Sequence, residues 1–167
     1  MIKNMVNRCF SKLSTKDFEK VYKLGKGANS TVYNVISLSD RKMYTCKEYD
    51  TYSKNQVKKE ETILNMIQSE NNVLPKYYST IIEKDKTWLL TDYIEGDELF
   101  NKYCLRPQDP ILNEDTIKPI LKKMIYCIEE CNKNNIVHLD IKPENYILSH
   151  YDNHISLIDF GCSQAFD

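Results

Sequence analysis

The chain carries almost no net charge: its 167 residues hold 23 Lys+Arg against 24 Asp+Glu, a formal balance of −1. A field that weak offers no general attraction to a nucleic-acid backbone or an anionic membrane, so neither is expected as a partner. No apolar run approaches the ~20 residues of a membrane helix, and no stretch has the make-up of a signal peptide. None of the six cysteines (Cys9, Cys46, Cys104, Cys127, Cys131 and Cys162) forms a C-x-x-C, and the three histidines do not flank them at zinc-finger spacing. Cys127 and Cys131 stand four apart in a helical pattern, which reads as core packing rather than a metal pair. The expectation is a reducing compartment, cytoplasmic or nuclear. Repeats and low-complexity tracts are also missing. What remains, 41% hydrophobic and 28% charged residues, is the composition of one ordinary globular domain.

Along the chain, residues 1–17 are polar with scattered apolar positions and read as an N-terminal extension. From Phe18 the pattern becomes short β-like runs, "FEKVYKLG", "STVYNVISL" and "KMYTCKEY", separated by turn signals at Gly25-Lys26-Gly27 and Ser39-Asp40. This predicts an antiparallel meander. Residues 53–68 are helical, with Ser53 or Asn55 able to cap the start. On a helical wheel Val57, Ile63, Leu64 and Ile67 share one direction, and Glu60 lies within roughly ten degrees of it. Two readings of Glu60 follow: a boundary glutamate whose stem snorkels outward, or a buried carboxylate facing a cation inside. "TIIEKD" and "TWLLTDYI" predict a strand pair, "EGDELF" a polar turn. A long helix is predicted from about Glu114 to Asn134, with one stripe of Ile117, Ile120, Leu121, Met124, Ile125 and Ile128. Pro119 is awkward there, so the regular helix is expected to begin near Lys118 or to kink. "NYILS" and "HISLIDF" predict two more short strands.

One stretch resists a purely structural account. "VHLDIKPENYIL", Val137 to Leu148, sets Asp140, Lys142, Glu144 and Asn145 between two apolar runs. Charged groups held this close to a core are costly unless paired or bound to something. Three other pieces point the same way. "LGKGANSTVY" puts two glycines between strands, where backbone N–H groups can approach a phosphate. Lys47 follows on the next strand, on an inward face, with Glu60 able to neutralise it. Asp159-Phe160-Gly161 ends an apolar strand with a carboxylate.

Together these residues resemble the eukaryotic protein kinase family, an established template for phosphoryl transfer. The resemblance implies an α+β bilobal fold: small lobe and hinge over 18–94, part of the large lobe over 95–167. It implies ATP and Mg²⁺ as cofactors, and a protein substrate with a Ser/Thr acceptor. "LGKGANSTV" is similar to the glycine-rich loop, which brings Leu24, Gly25, Lys26, Gly27, Ala28, Asn29, Ser30 and Val32 to the nucleotide, with Ser30 in place of a third glycine. Lys47 resembles the lysine that holds the α- and β-phosphates, and Glu60 its ion-pair partner. "HLDIKPEN" resembles the catalytic loop: Asp140 the base, Lys142 near the transferred phosphate, Asn145 on a metal. Asp159 is similar to the second metal ligand. The hinge likeness gives Thr91 the back of the pocket, Asp92 and Ile94 backbone contacts to adenine, and Glu98 the ribose. Val32, Thr45 and Ile147 enclose the base, with Thr45 where alanine is usual. "DIKPEN" resembles the Ser/Thr branch. In this context Glu144 is either solvent-facing or a contact for a basic residue near the acceptor. His138 is expected to support the loop rather than act as the base.

Two departures bear on function. Leu139 stands where most of the family has an arginine that pairs with an activation-loop phosphate. Some calcium/calmodulin-type kinases carry a similar hydrophobic residue, so the change does not argue for loss of activity. The chain also stops six residues after Gly161, whereas the family fold continues. The expectations are an incomplete peptide platform, weak activity at this length, and self-association or a partner chain over the helix stripe. A non-catalytic nucleotide- or partner-binding module, or a fragment without independent function, are the competing readings.

Overall fold

The structure, a computed structural model, describes residues 13–50, 53–68, 72–105 and 113–166. Alternation builds its first layer. In β3 (Met43–Asp50), Tyr44, Cys46 and Glu48 face one side, while Thr45, Lys47 and Tyr49 face the other. β1 (Phe18–Lys26), β2 (Ser30–Ser37), β4 (Tyr77–Ile82) and β5 (Lys86–Asp92) complete an antiparallel sheet in the order β1-β2-β3-β5-β4. Tyr44 and Cys46 pack on the outer face with Phe18, Val35, Ile81, Trp88 and Leu90. Glu48 caps that face, accepting hydrogen bonds from Trp88 Nε1 at 2.6 Å and Lys20 Nζ at 2.9 Å. Of the expected extension, residues 13–17 are described. Leu13 packs on the outer core, and Thr15 donates through its N–H and hydroxyl to Glu83 in the β4–β5 turn. Residues 1–12 lie outside the described residues.

Helix α1 (Lys54–Met66) packs on the inner face through Val57, Glu60, Ile63 and Leu64. Ser53 is its N-cap but makes no side-chain capping bond. Two tyrosine- and asparagine-mediated ties fix the helix elsewhere: Tyr77 donates its hydroxyl to Glu61 at 2.9 Å, and the Gln68 N–H donates to Asn134 Oδ1 at 2.7 Å.

The segment predicted as a polar turn is instead strand β6 (Gly96–Glu98) followed by helix α2 (Leu99–Tyr103). β6 pairs with β8 (Tyr146–Ser149), which pairs with β9 (Ile155–Leu157). The sequence disguised β6 because all three of its residues are half-buried and none is a strong strand former. Its pairing comes from β8, which is distant in sequence.

Helix α3 (Glu114–Lys133) starts at Glu114, four residues before Lys118 and with Pro119 inside it. The start is fixed by a reciprocal cap: Asn113 Oδ1 accepts the Thr116 N–H at 2.9 Å, and Thr116 Oγ1 accepts the Asn113 N–H at 3.1 Å. Pro119 removes only the N–H that would reach the Asp115 carbonyl, and this end of the helix is exposed, so water can take that carbonyl. The predicted stripe is only partly covered. Ile120 and Met124 pack on the core, Leu121 and Ile125 are exposed, and the fully buried positions are Cys127, Glu130 and Cys131. Cys127 donates its thiol to the Ile155 carbonyl at 3.3 Å, and burial pushes both thiols up to about 12. The core that joins the two halves runs from Tyr49, Leu64 and Leu89 through Phe160 to Tyr146, Leu157 and Cys131. Strand β7 (Ile136–Val137), after α3, pairs with β10 (Gln164–Ala165) near the end of the chain.

Gly96 is where the lower sheet closes on the upper half. A β-carbon there would collide with the Leu148 carbonyl oxygen and sit 2.7 Å from Ile147 Cγ2. The carbonyl belongs to the backbone of the paired strand and cannot swing away. Gly96→Ala is expected to cost about 1–3 kcal/mol of stability, as overpacking of a tight site does, read as a lower urea midpoint at unchanged slope.

Candidate active site

A cavity of about 760 Å³ separates the sheet from the lower half. Its upper wall comes from β1–β3 and its back from β5. Its floor comes from the loop between β7 and β8 and from the end of β9.

Lys47 projects into it from β3 because alternation puts it on the inner face, opposite Val32. Its Nζ lies 3.0 and 3.1 Å from the two Glu60 oxygens and 2.6 Å from Asp159 Oδ1. Glu60 is 3% exposed, so the second of its two sequence readings holds: a buried carboxylate facing a cation. Burial alone would lower the lysine pKa, but the charges of Glu60 and Asp159 more than reverse this and raise it. Burial likewise opposes the charge on Asp159, yet Lys47 holds its carboxyl below the usual range. Asp159 has φ 64°, in the left-handed region, which aspartate tolerates better than most residues. That turn folds its carboxylate back, where Oδ1 also accepts the Gly161 N–H at 3.3 Å.

The loop after β7 supplies the second cluster. Asp140 Oδ2 accepts from Lys142 Nζ at 2.7 Å and from Asn145 Nδ2 at 2.9 Å, and Asn145 Nδ2 also donates to the Asp140 carbonyl at 2.8 Å. The Lys142 hydrogen bond leads in holding the Asp140 carboxyl below its ordinary range. Asn145, buried in a 3₁₀ turn begun by Pro143, has spent its NH₂ group. Its amide oxygen is left toward the cavity it lines. His138 braces this loop. It accepts the Asp140 N–H at Nδ1 (3.3 Å), so its Nε2 must be the protonated nitrogen that donates to the Ile158 carbonyl at 3.0 Å. Its ring meets Phe160 edge-on at 4.9 Å, and Ser163 Oγ donates to its carbonyl at 3.1 Å.

At the back edge, the Asp92 N–H is taken by the Lys76 carbonyl at 3.0 Å, and the Asp92 carbonyl accepts the Thr91 hydroxyl at 3.5 Å. No hydrogen bond among the described residues takes the Ile94 N–H. Thr91, Thr45, Val32, Ile147 and Glu98 line the same space, as do Leu24, Gly25, Lys26 and Gly27. Ala28, Asn29 and Ser30 do not. They turn toward a second, shallower depression on the other side of the loop, because the β1–β2 turn closes at Gly27, whose N–H bonds the Ser30 carbonyl at 2.9 Å. Sequence reasoning missed Tyr93, whose hydroxyl meets that of Tyr22 at 2.5 Å beside the cavity mouth. It missed Tyr49, which donates to Glu60. Tyr49's inward alternation with Lys47 was the available signal. Burial first, and then the Glu144 charge, raises the Glu98 carboxyl above its ordinary range.

The protein kinase domain family matches residues 18–167, and the chain belongs to that family. It is 32% identical over 157 residues to phototropin-1A of Oryza sativa subsp. japonica, a match covering 90% of this chain and 17% of that protein. It is 29% identical over 148 residues to a titin homolog of Caenorhabditis elegans, covering 86% of this chain and 1% of that protein. It is 26% identical over 160 residues to calcium-dependent protein kinase 27 of Arabidopsis thaliana, covering 88% of this chain and 33% of that protein. The chain thus spans a third or less of each of these relatives. The family is one of ATP-binding transferases that act on proteins with the help of a divalent metal.

Burial lowers the His138 pKa from its ordinary 6.5, so the neutral ring is the folded form. The unfolded chain therefore binds more protons in this range. His138's contribution to stability is complete above its unfolded pKa and is lost as pH falls through the lowered folded value. His138→Gln, which keeps a donor for Ile158 but cannot titrate there, is expected to show a flatter fall in Tm between about pH 7 and pH 5 than the wild type.

Proposed function

We propose that the chain carries the nucleotide-binding and catalytic groups of a serine/threonine protein kinase that transfers the γ-phosphate of ATP, with Mg²⁺, to a protein hydroxyl. The observation that carries this reading is the position of Lys47. A buried ammonium held between Glu60 and Asp159 opens onto the same cavity as Asn145, beside Asp140. That is a phosphate site next to a hydroxyl site.

Each group then has a task that its chemistry suits. The Asp92 carbonyl and Ile94 N–H present an acceptor and a donor to the adenine edge, with Val32, Thr45 and Ile147 against its faces. Lys47 supports the α- and β-phosphates. The Asn145 amide oxygen and the Asp159 Oδ2, which accepts no hydrogen bond among the described residues, are hard oxygen donors of the kind Mg²⁺ takes. No cluster of three acidic, His or Cys ligands occurs among the described residues, so a metal held here would share phosphate oxygens with the nucleotide. Bound there, the metal would neutralise charge on the transferring group. Asp140 accepts the hydrogen bond of the acceptor hydroxyl and orients it, while Lys142, already on Asp140 Oδ2, lies next to the phosphate being moved. The neighbouring carboxylates of Glu98 and Glu144 repel one another, an arrangement that a basic residue of the substrate would relieve.

Two substitutions separate binding from transfer. Lys47→Met should weaken ATP-Mg²⁺ binding, seen as a smaller nucleotide-induced rise in Tm. Asp140→Asn should leave that rise nearly unchanged and lower the rate of peptide phosphorylation at least about a hundredfold, the low end of general-base effects. Equal nucleotide shifts for wild type and Lys47→Met, or undiminished turnover in Asp140→Asn, would overturn the assignment.

A further inference from the structure

Glu60 has more donors than the ion pair requires. Besides Lys47 on both oxygens, its Oε2 accepts the hydroxyl of Tyr49. Tyr49 stands two residues after Lys47 on β3, on the same face, and is wholly buried. Its ring lies beside the ammonium, with Lys47 Nζ 5.6 Å from the ring centroid, within the range of a cation–π contact. A buried tyrosine needs a partner for its hydroxyl, and here the partner is the one carboxylate that fixes α1 to the cavity. Burial and then the Glu60 charge raise the phenol's pKa, so it remains a donor.

The demand on Lys47 explains why a second donor matters. Its single ammonium is already divided between two carboxylates, and Asp159 holds the shorter contact. A phosphate entering the cavity is a third anion competing for the same Nζ. As Lys47 turns toward it, Glu60, 3% exposed, would be left buried with less compensation. The Tyr49 hydroxyl, by contrast, has Glu60 as its hydrogen-bond acceptor and is not in reach of a competing demand from the phosphate in this arrangement. We propose that Tyr49 is a positioning residue: through Glu60 it keeps α1 docked and Lys47 aimed at the phosphates, from within the chain itself. The Tyr77–Glu61 and Gln68–Asn134 ties work to the same end. This inference rests on the reading of Lys47 as the phosphate-binding lysine.

Tyr49→Phe removes the hydroxyl and keeps the ring. Affinities for ATP-Mg²⁺ and for adenosine, measured by calorimetry on wild type and variant, distinguish positioning from core filling, because adenosine does not reach Lys47. The expected result is a loss of roughly tenfold for ATP-Mg²⁺, the scale of a hydrogen bond to a charged group, with adenosine affinity unchanged within about twofold. In a Glu60→Gln background, Tyr49→Phe should add almost nothing, since it acts through that carboxylate. An ATP-to-adenosine affinity ratio equal in wild type and Tyr49→Phe overturns the inference and leaves the Lys47 reading standing. A folded wild type that binds ATP-Mg²⁺ no better than adenosine overturns both. If Tyr49→Phe is too unstable to assay at room temperature, the same ratio is read in the cold.

Discussion

A lysine ammonium only 15% exposed has to be compensated, and the arrangement of this protein follows from how that is done. Removing a charge from water costs several kcal/mol even after the surroundings relax. No single neighbour compensates Lys47. Glu60 arrives on α1, and Asp159 arrives at the end of β9, more than a hundred residues later in the chain. The charge of the lysine is therefore compensated jointly by the helix and by the lower half. Such an ion triad is not a strong source of stability in itself, because hydrophobic replacements of buried ion pairs often do as well. What it supplies here is position. Three elements that could pack in several ways have one packing in which the charges close.

The second cluster is organised by neutral groups. His138 holds the Asp140 N–H on one ring nitrogen and the Ile158 carbonyl on the other, so one imidazole ties the β7–β8 loop to the strand that delivers Asp159. The Asn145 carbonyl accepts the Ile158 N–H at 2.8 Å and strengthens the same joint from the other side. Asp140 and the segment that carries Asp159 are thus tied together through His138 and Asn145. Phe160, buried between α1 and this loop, carries the link back to the helix that bears Glu60.

Much of this was visible in the sequence, for reasons that can be named. Strands β1–β5 and helix α1 were legible because each is local and has a strict period, and Glu60 could be singled out because a charged residue at the centre of an apolar arc breaks that period. The motifs around Lys47, Asp140 and Asp159 were legible because they set charged residues against apolar runs in a pattern that resembles the protein kinase family. β6 and α2 were not, because their order comes from pairing with β8 and from one buried leucine, Leu99, neither of which leaves a local pattern. The α3 stripe misled in part: its most regular aliphatic residues include exposed Leu121 and Ile125, while two cysteines and a glutamate form the buried line. Alternation put Tyr49 on the inner face beside Lys47, but a tyrosine there reads as an ordinary core residue until its hydroxyl is seen to reach Glu60.

Leu139 shows how the loop manages at a position where the family usually has arginine. Its φ is 65°, and its side chain is 55% exposed, while its neighbours His138 and Asp140 are held inward by the bonds described above. A left-handed residue costs most for bulky side chains, so the loop keeps this conformation against the preference of leucine itself. The compensation comes from both flanks: the His138 braces before it and the Asp140–Lys142–Asn145 hydrogen bonds after it. The outward residue is carried by the loop rather than shaping it. Changes of side chain at 139 can therefore alter what meets this surface while the Asp140 carboxylate, one residue away, stays where Asn145 and His138 put it.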